Sequence, residues 1–122
     1  YCNLFVEDWG YADGKLTVSA GFIQAQMPTL SADGASVTVQ TADLVLNHNG
    51  QEVSRVQVFL NEGEAAGSYE ASVSDVSFEV PELEDDHQLD VLLLITLTDG
   101  SSISYNGCSW YYVDGELNPV MG

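Results

Sequence analysis

The chain has 122 residues, 45 % of them hydrophobic, and sets two basic side chains against nineteen acidic ones for a net charge of −17. That length suits one domain, residues 1–122, whose core needs neither a structural metal nor several disulfides. The charge repels nucleic acid and anionic lipid and favours divalent cations or basic surfaces, and the longest unbroken apolar run, residues 91–95, is far short of the ~20 residues of a membrane-spanning helix.

Side chains alternate with period two almost throughout, and no window of a dozen residues keeps a 3.6 repeat, so strands are expected to carry the core. The chain starts at Tyr1 with no basic leader segment, which reads as a mature or trimmed form of an exported protein. An opening strand is expected around residues 2–7. It holds Cys2, and the second cysteine, Cys108, lies near the other end. An even count in a small acidic domain suggests a bridge between them; the alternative is two buried free thiols, because a bridge needs Cα atoms within about 7 Å.

Leu16, Val18, Ala20 and Phe22 form the next strand, and the apolar phase then moves to Ile23, Ala25 and Met27. A flip beside Gly21 reads as a bulge or as a strand crossing between sheets, and Met27-Pro28 ends the pairing. Lys15, the only lysine, follows Asp13-Gly14 and reads as a surface residue at a turn rather than as a crosslinking amine. Val37 and Val39 begin a strand that runs through Leu44 to Leu46, and Asn49-Gly50 supplies the positive φ angles of a tight hairpin. Val53, Val56, Val58 and Leu60 form its return.

Residues 63–67 read as a loose loop. Tyr69, Ala71 and Val73, then Val76, Phe78 and Val80, change phase around Ser74-Asp75, giving either one bulged strand or two short ones before Pro81. The acidic stretch that follows, Glu82, Glu84, Asp85 and Asp86, is the expected place for Ca²⁺, which takes six to eight oxygens. It lacks the spacing of an EF-hand loop, and the simpler reading is a solvated charge run. The only histidines are His48, in a turn, and His87, behind the acidic stretch.

Leu89, Val91, Leu93, Ile95 and Leu97 keep one face, while Leu92 and Leu94 make the middle apolar on both, as in a central strand. Asp99-Gly100 turns the chain into Ile103 and Tyr105, and after Asn106-Gly107 the apolar set moves to Cys108, Trp110 and Tyr112. With a three-residue loop, a bulge at Gly107 places both sets on one face; with a two-residue loop the faces exchange. The first register is preferred.

About seven strands separated by Gly, Pro, Asp and Asn turns make an all-β sandwich the expected fold. Residues 89–105, with their apolar strand, Thr98-Asp99-Gly100-Ser101 turn and alternating return, together with the Asn49-Gly50 hairpin, resemble immunoglobulin-like and fibronectin-type-III-like domains of bacterial surface proteins. The mid-domain Cys, Trp, Cys spacing of antibody domains is absent. The resemblance implies an extracytoplasmic place and adhesion, spacing of modules or glycan contact, and transfers no functional residue.

Neither a Gly-x-Ser-x-Gly elbow nor paired metal-binding histidines at motif spacing occur, so no catalytic residue is assigned and an enzyme is not expected. Trp9, Tyr11, Trp110 and Tyr111 offer either an aromatic platform for a sugar or partner, or rings that cap the core. The expectation is a non-catalytic structural or interaction module that contacts other domains of its own polypeptide, an extracellular protein or a glycan. The alternatives are a carbohydrate-binding module and a calcium-stabilised adhesive domain.

Overall fold

The computed structural model describes residues 2–24, 29–30, 36–37, 39–61 and 69–120, with side chains for residues 6–21, 39–61 and 74–120. Its elements are β1 (Cys2–Ala12), β2 (Lys15–Gln24), β3 (Thr29–Leu30), β4 (Ser36–Val37), β5 (Val39–His48), β6 (Gln51–Leu60), β7 (Tyr69–Glu79), β8 (Gln88–Leu97), β9 (Ser102–Val113) and β10 (Glu116–Pro119). No helix occurs among the described residues. All pairings are antiparallel, giving a three-stranded sheet in the order β1-β2-β7, a five-stranded sheet in the order β10-β9-β8-β5-β6, and a short β3-β4 ribbon.

The alternation read from the sequence is what stacks the two sheets. On β8 every second residue from Leu89 to Leu97 is buried, and directly opposed residues on β5 and β9 share that face because the side-chain period is two. Leu44, Leu46, Val91, Leu93, Ile95 and Trp110 thus meet Leu16, Val18, Ala20 and Phe78 of the smaller sheet in one buried cluster. The chain is an all-β sandwich. Trp9 and Trp110 join the sheets edge to face, their centroids 5.3 Å apart, and Tyr11 and Tyr112 do so at 6.3 Å.

Two-residue turns at Asp13-Gly14, Asn49-Gly50 and Asp114-Gly115 have positive φ at both positions, matching the twist of the strands they join. At Asp99-Gly100 the loop holds three residues, since Leu97 N–H donates to Ser101 O at 2.8 Å. The β8-β9 register then slips by one residue at Gly107, between the pairs Leu92 with Asn106 and Val91 with Cys108. Tyr105 and Trp110 therefore share the inner face, as the preferred register requires. Strand β7 is one bulged strand: Ser74 and Asp75 oppose the single residue Ser19, and Asp75, at φ 56°, donates its N–H to Ser19 Oγ at 3.1 Å.

Several expectations need correction. Strand β1 reaches Ala12 rather than stopping near residue 7, because an extra residue at Glu7 keeps it in register with β2. Both pairings of β2 run unbroken through Gly21, so the irregularity there lies at Ser19. Ala25, Met27, Pro28 and the loop 63–67 lie outside the described residues. Strand β10 pairs with β9 across the Asp114-Gly115 turn and lies beyond the strands expected from the sequence.

The bridge between Cys2 and Cys108 is not formed: Cys108 is a half-buried free thiol. The aromatic pairs set β1 and β9 side by side in the same direction, which puts Cys108 across from the neighbourhood of Glu7. Cys2 lies about five residues further along, roughly 16 Å at the usual strand rise and well beyond bridging distance. Burial pushes the Cys108 thiol up from its ordinary value, more than a hydrogen bond from the Ser109 backbone lowers it.

The register assigns Trp110 to the core and its neighbour Tyr111, 43 % exposed, to the outer face. Urea unfolding should show Trp110→Ala losing about 3–5 kcal/mol of stability, while Tyr111→Ala stays within about 0.5 kcal/mol. Equal losses would contradict the register of β9.

Candidate functional site

The inner faces of both sheets are occupied by the core, so chemistry available to a partner must come from outer faces, edges or turns. The outer face of the five-stranded sheet is unusual in its composition. Read across β6, β5, β8 and β9, one row is Gln57, Asp43, Leu94 and Ser104; the next is Arg55, Val45, Leu92 and Asn106; the third is Glu52, Asn47, Asp90 and Ser109. An apolar centre of Val45, Leu92 and Leu94 is thereby framed by polar and charged groups. Val45, although on the outer face, is only 5 % exposed between its row neighbours. Val45, Asn47, Glu52, Arg55, Leu92 and Ser104 are among the residues lining a shallow open hollow of about 400 Å³.

The frame is ordered by hydrogen bonds. Arg55 donates from Nη2 to Glu52 Oε1 at 2.7 Å and from Nε to Oε2 at 3.2 Å, a side-on pair that fixes the plane of the guanidinium. Its Nη1 lies 3.7 Å from Asp43 Oδ2. Asp90 Oδ1 accepts from Gln88 Nε2 at 2.8 Å and from Ser109 Oγ at 2.5 Å. Asn47 Oδ1 is buried without a hydrogen-bond partner among the described residues, leaving an acceptor of the kind a protein ordinarily satisfies.

Asp43 is 8 % exposed, the one charged residue that is buried among the described residues. Burial raises its carboxyl above the ordinary value; the Arg55 charge pulls it back and Glu52 pushes it up. At 3.7 Å the guanidinium is too distant for a good hydrogen bond, so desolvation wins over attraction.

No family profile, curated protein or solved structure matches the chain.

The structure separates the four aromatic candidates. Trp110 is fully buried, Trp9 and Tyr11 are half-buried against the core, and Tyr111 alone is well exposed, on the outer face. They form no common platform. The carboxylates of Glu82, Glu84, Asp85 and Asp86 belong to exposed residues between β7 and β8, and Asp85 Oδ1 accepts the Asp114 N–H at 3.2 Å. Among the described residues, no three His, Cys, Asp or Glu side chains come together in a way that would hold a metal.

Sequence reasoning passed over Asp43, Asn47 and Arg55. A carboxylate between Ala42 and Leu44 in an otherwise apolar strand was the available signal for the first. Nothing short of the register places Arg55 beside it.

Because the folded state holds the Asp43 proton more tightly than the unfolded chain, its contribution to stability is present below the ordinary carboxylate range. That contribution is lost as the pH rises through this range toward the raised folded value. Asp43→Asn removes the buried charge, so the variant's urea midpoint should gain on that of the wild type between about pH 4 and about pH 7. A midpoint difference that is flat or narrows over this interval would contradict a raised Asp43.

Proposed function

We propose that this chain is a non-catalytic interaction module of immunoglobulin-like type, belonging to an exported bacterial protein and presenting the open face of its five-stranded sheet to a partner. The strand order supports the immunoglobulin-like reading. In chain order, β1, β2 and β7 take the places of strands A, B and E, and β5, β8 and β9 those of C, F and G. Strand β6 extends the C side and β10 the G side.

The observation that carries the docking reading is the mosaic around Val45, Leu92 and Leu94: apolar area at the centre, ordered polar groups at the rim and a buried acceptor without a partner. This is the anatomy of a protein-contacting patch rather than of a solvated sheet face. Charge selects the partner. With −17 on the chain and Arg55 already held by Glu52, a basic protein surface, such as another domain of the same polypeptide, fits better than an acidic or nucleic one. The dispersal of Trp9, Tyr11 and Trp110 into the core weighs against the carbohydrate-binding alternative, and the spread of the carboxylates 82–86 against the calcium-stabilised one.

Carbodiimide footprinting of carboxylates tests this reading, comparing the isolated chain with its parent polypeptide. Glu52 and Asp90 should label more slowly in the parent, while Asp13 and Glu79, at one end of the three-stranded sheet, label alike in both. Uniform labelling of all four in both settings would contradict the docking face. Retention on a glycan array that disappears with Tyr111→Ala would replace it with the carbohydrate-binding reading.

A further inference from the structure

The antiparallel pairing of β5 with β8 brings the chain's two histidines together across 39 positions of sequence. His48 closes β5 and His87 immediately precedes β8. Their segments are fixed to one another through Asn49, by both its backbone and its side chain: Asn49 N–H donates to Gln88 O at 2.8 Å, and Gln88 N–H donates to Asn49 Oδ1 at 2.8 Å. On the other side, Tyr112 N–H donates to His87 O at 2.9 Å, and His87 N–H donates to Glu84 O at 3.1 Å, closing a turn with Asp86 at φ 70°. The imidazoles therefore meet on rigid supports. His48 Nε2 and His87 Nδ1 are 2.9 Å apart, the rings inclined at 56°.

The surroundings assign the ring protons. Glu84 N–H points at His87 Nδ1 at 3.3 Å, so that nitrogen is an acceptor and His48 Nε2 is the donor of the imidazole pair. The proton of His87 then sits on Nε2, which lies 3.8 Å from Glu84 Oε2. Two ring nitrogens thus face one another across a single proton, and the far nitrogen of one ring looks toward a carboxylate. At 3.8 Å that carboxylate is too far for a hydrogen bond, but the exposed Glu84 side chain can close on the ring and become the accepting carboxylate that a metal-bound histidine commonly has.

We infer that His48 Nε2 and His87 Nδ1 form a two-imidazole site for a borderline divalent transition ion of the Zn²⁺, Ni²⁺ or Cu²⁺ class, with Glu84 as the outer carboxylate and water completing the shell. Imidazole nitrogen suits these ions, whereas Ca²⁺ demands oxygen. With Zn–N bonds of about 2.0–2.1 Å in tetrahedral geometry, the two nitrogens must stand roughly 3.3 Å apart, so the pair opens by a few tenths of an ångström. Side-chain rotation supplies that movement without disturbing the backbone clasp. His48 moves its proton from Nε2 to Nδ1 through solvent, so neither ring changes charge, and the exposed Glu84 N–H exchanges a long contact for water. His87 keeps an edge in solvent, its side chain 24 % exposed, and the carboxylates of Glu84, Asp85 and Asp86 draw cations to this end of the sandwich. The site is independent of the docking face, since it lies in the turns at one end of β5 and β8.

The test is a Zn²⁺ titration of the whole chain, followed by calorimetry and by the imidazole nitrogen resonances. One equivalent should bind and shift His48 Nε2 and His87 Nδ1, while Ca²⁺ at equal concentration leaves both in place. His48→Gln and His87→Gln should each weaken binding at least about tenfold, and Glu84→Gln by about tenfold, the effect of losing an outer carboxylate. The wild-type resonances decide the matter even if a variant does not fold. Imidazole signals unmoved by Zn²⁺, or an affinity unchanged within twofold in a folded His48→Gln/His87→Gln protein, would overturn the site.

Discussion

A β-strand places successive side chains on opposite faces, so a single extra or missing residue sends everything beyond it to the wrong side. The whole sandwich depends on how this chain meets that constraint. Its inner face must present Leu89 through Leu97 on β8 alongside Trp110 on β9, Leu44 and Leu46 on β5, and Leu16 and Val18 on β2. The apolar residues of β7 and β9 do not keep one phase from end to end. The chain corrects the phase with extra residues, at Ser74-Asp75 opposite Ser19 and at Gly107 between Leu92 and Val91. Each correction lets both halves of a strand contribute to one core, and each increases local twist, which helps the two layers wrap around one another.

That economy of faces underlies the proposed docking face. Because the core consumes one face of each sheet, the remaining outer face of the five-stranded sheet is free to carry a different pattern. There Val45, Leu92 and Leu94 sit within a frame of Asp43, Asn47, Glu52, Arg55 and Asp90. A buried carboxylate and an unpartnered amide oxygen are costly to stability, and costs of this kind collect where a surface serves recognition. The metal clasp draws on the same pairing from its end: the register that aligns Leu44 with Leu93 also aligns His48 with Leu89, leaving His87 one step beyond β8 and within reach.

What the sequence disclosed follows from how local each signal is. The alternation of β8, the Asn49-Gly50 turn, the bulge near Ser74-Asp75 and the three-residue loop before Ser101 are set by neighbours a few positions apart, and all were legible. Cys2 and Cys108 were misjudged because a cysteine count carries no distance, and the offset between β1 and β9 exceeds what a bridge can span. The aromatic residues likewise could not be sorted into Trp110 inside and Tyr111 outside until the Gly107 bulge was placed. Arg55 beside Asp43 depends on the irregularities of the β5-β6 hairpin, and His48 beside His87 on pairing between distant segments, neither of which composition and spacing encode. Leu92 and Leu94 mark β8 as a central strand, and it is central in its sheet; that its outer side stays open, with the apolar centre at the surface, is not written in the alternation.

The most direct measurement of this account is the stability of a chain lacking Gly107. Deletion removes the extra residue of the bulge, so Tyr105 and Trp110 can no longer both face the core. Urea unfolding should show a loss of at least about 3 kcal/mol or no cooperative transition at all, whereas Gly107→Ala, which keeps the residue count, should lose much less. A deletion variant as stable as the intact chain would contradict the claim that this bulge holds β9 in phase with the core.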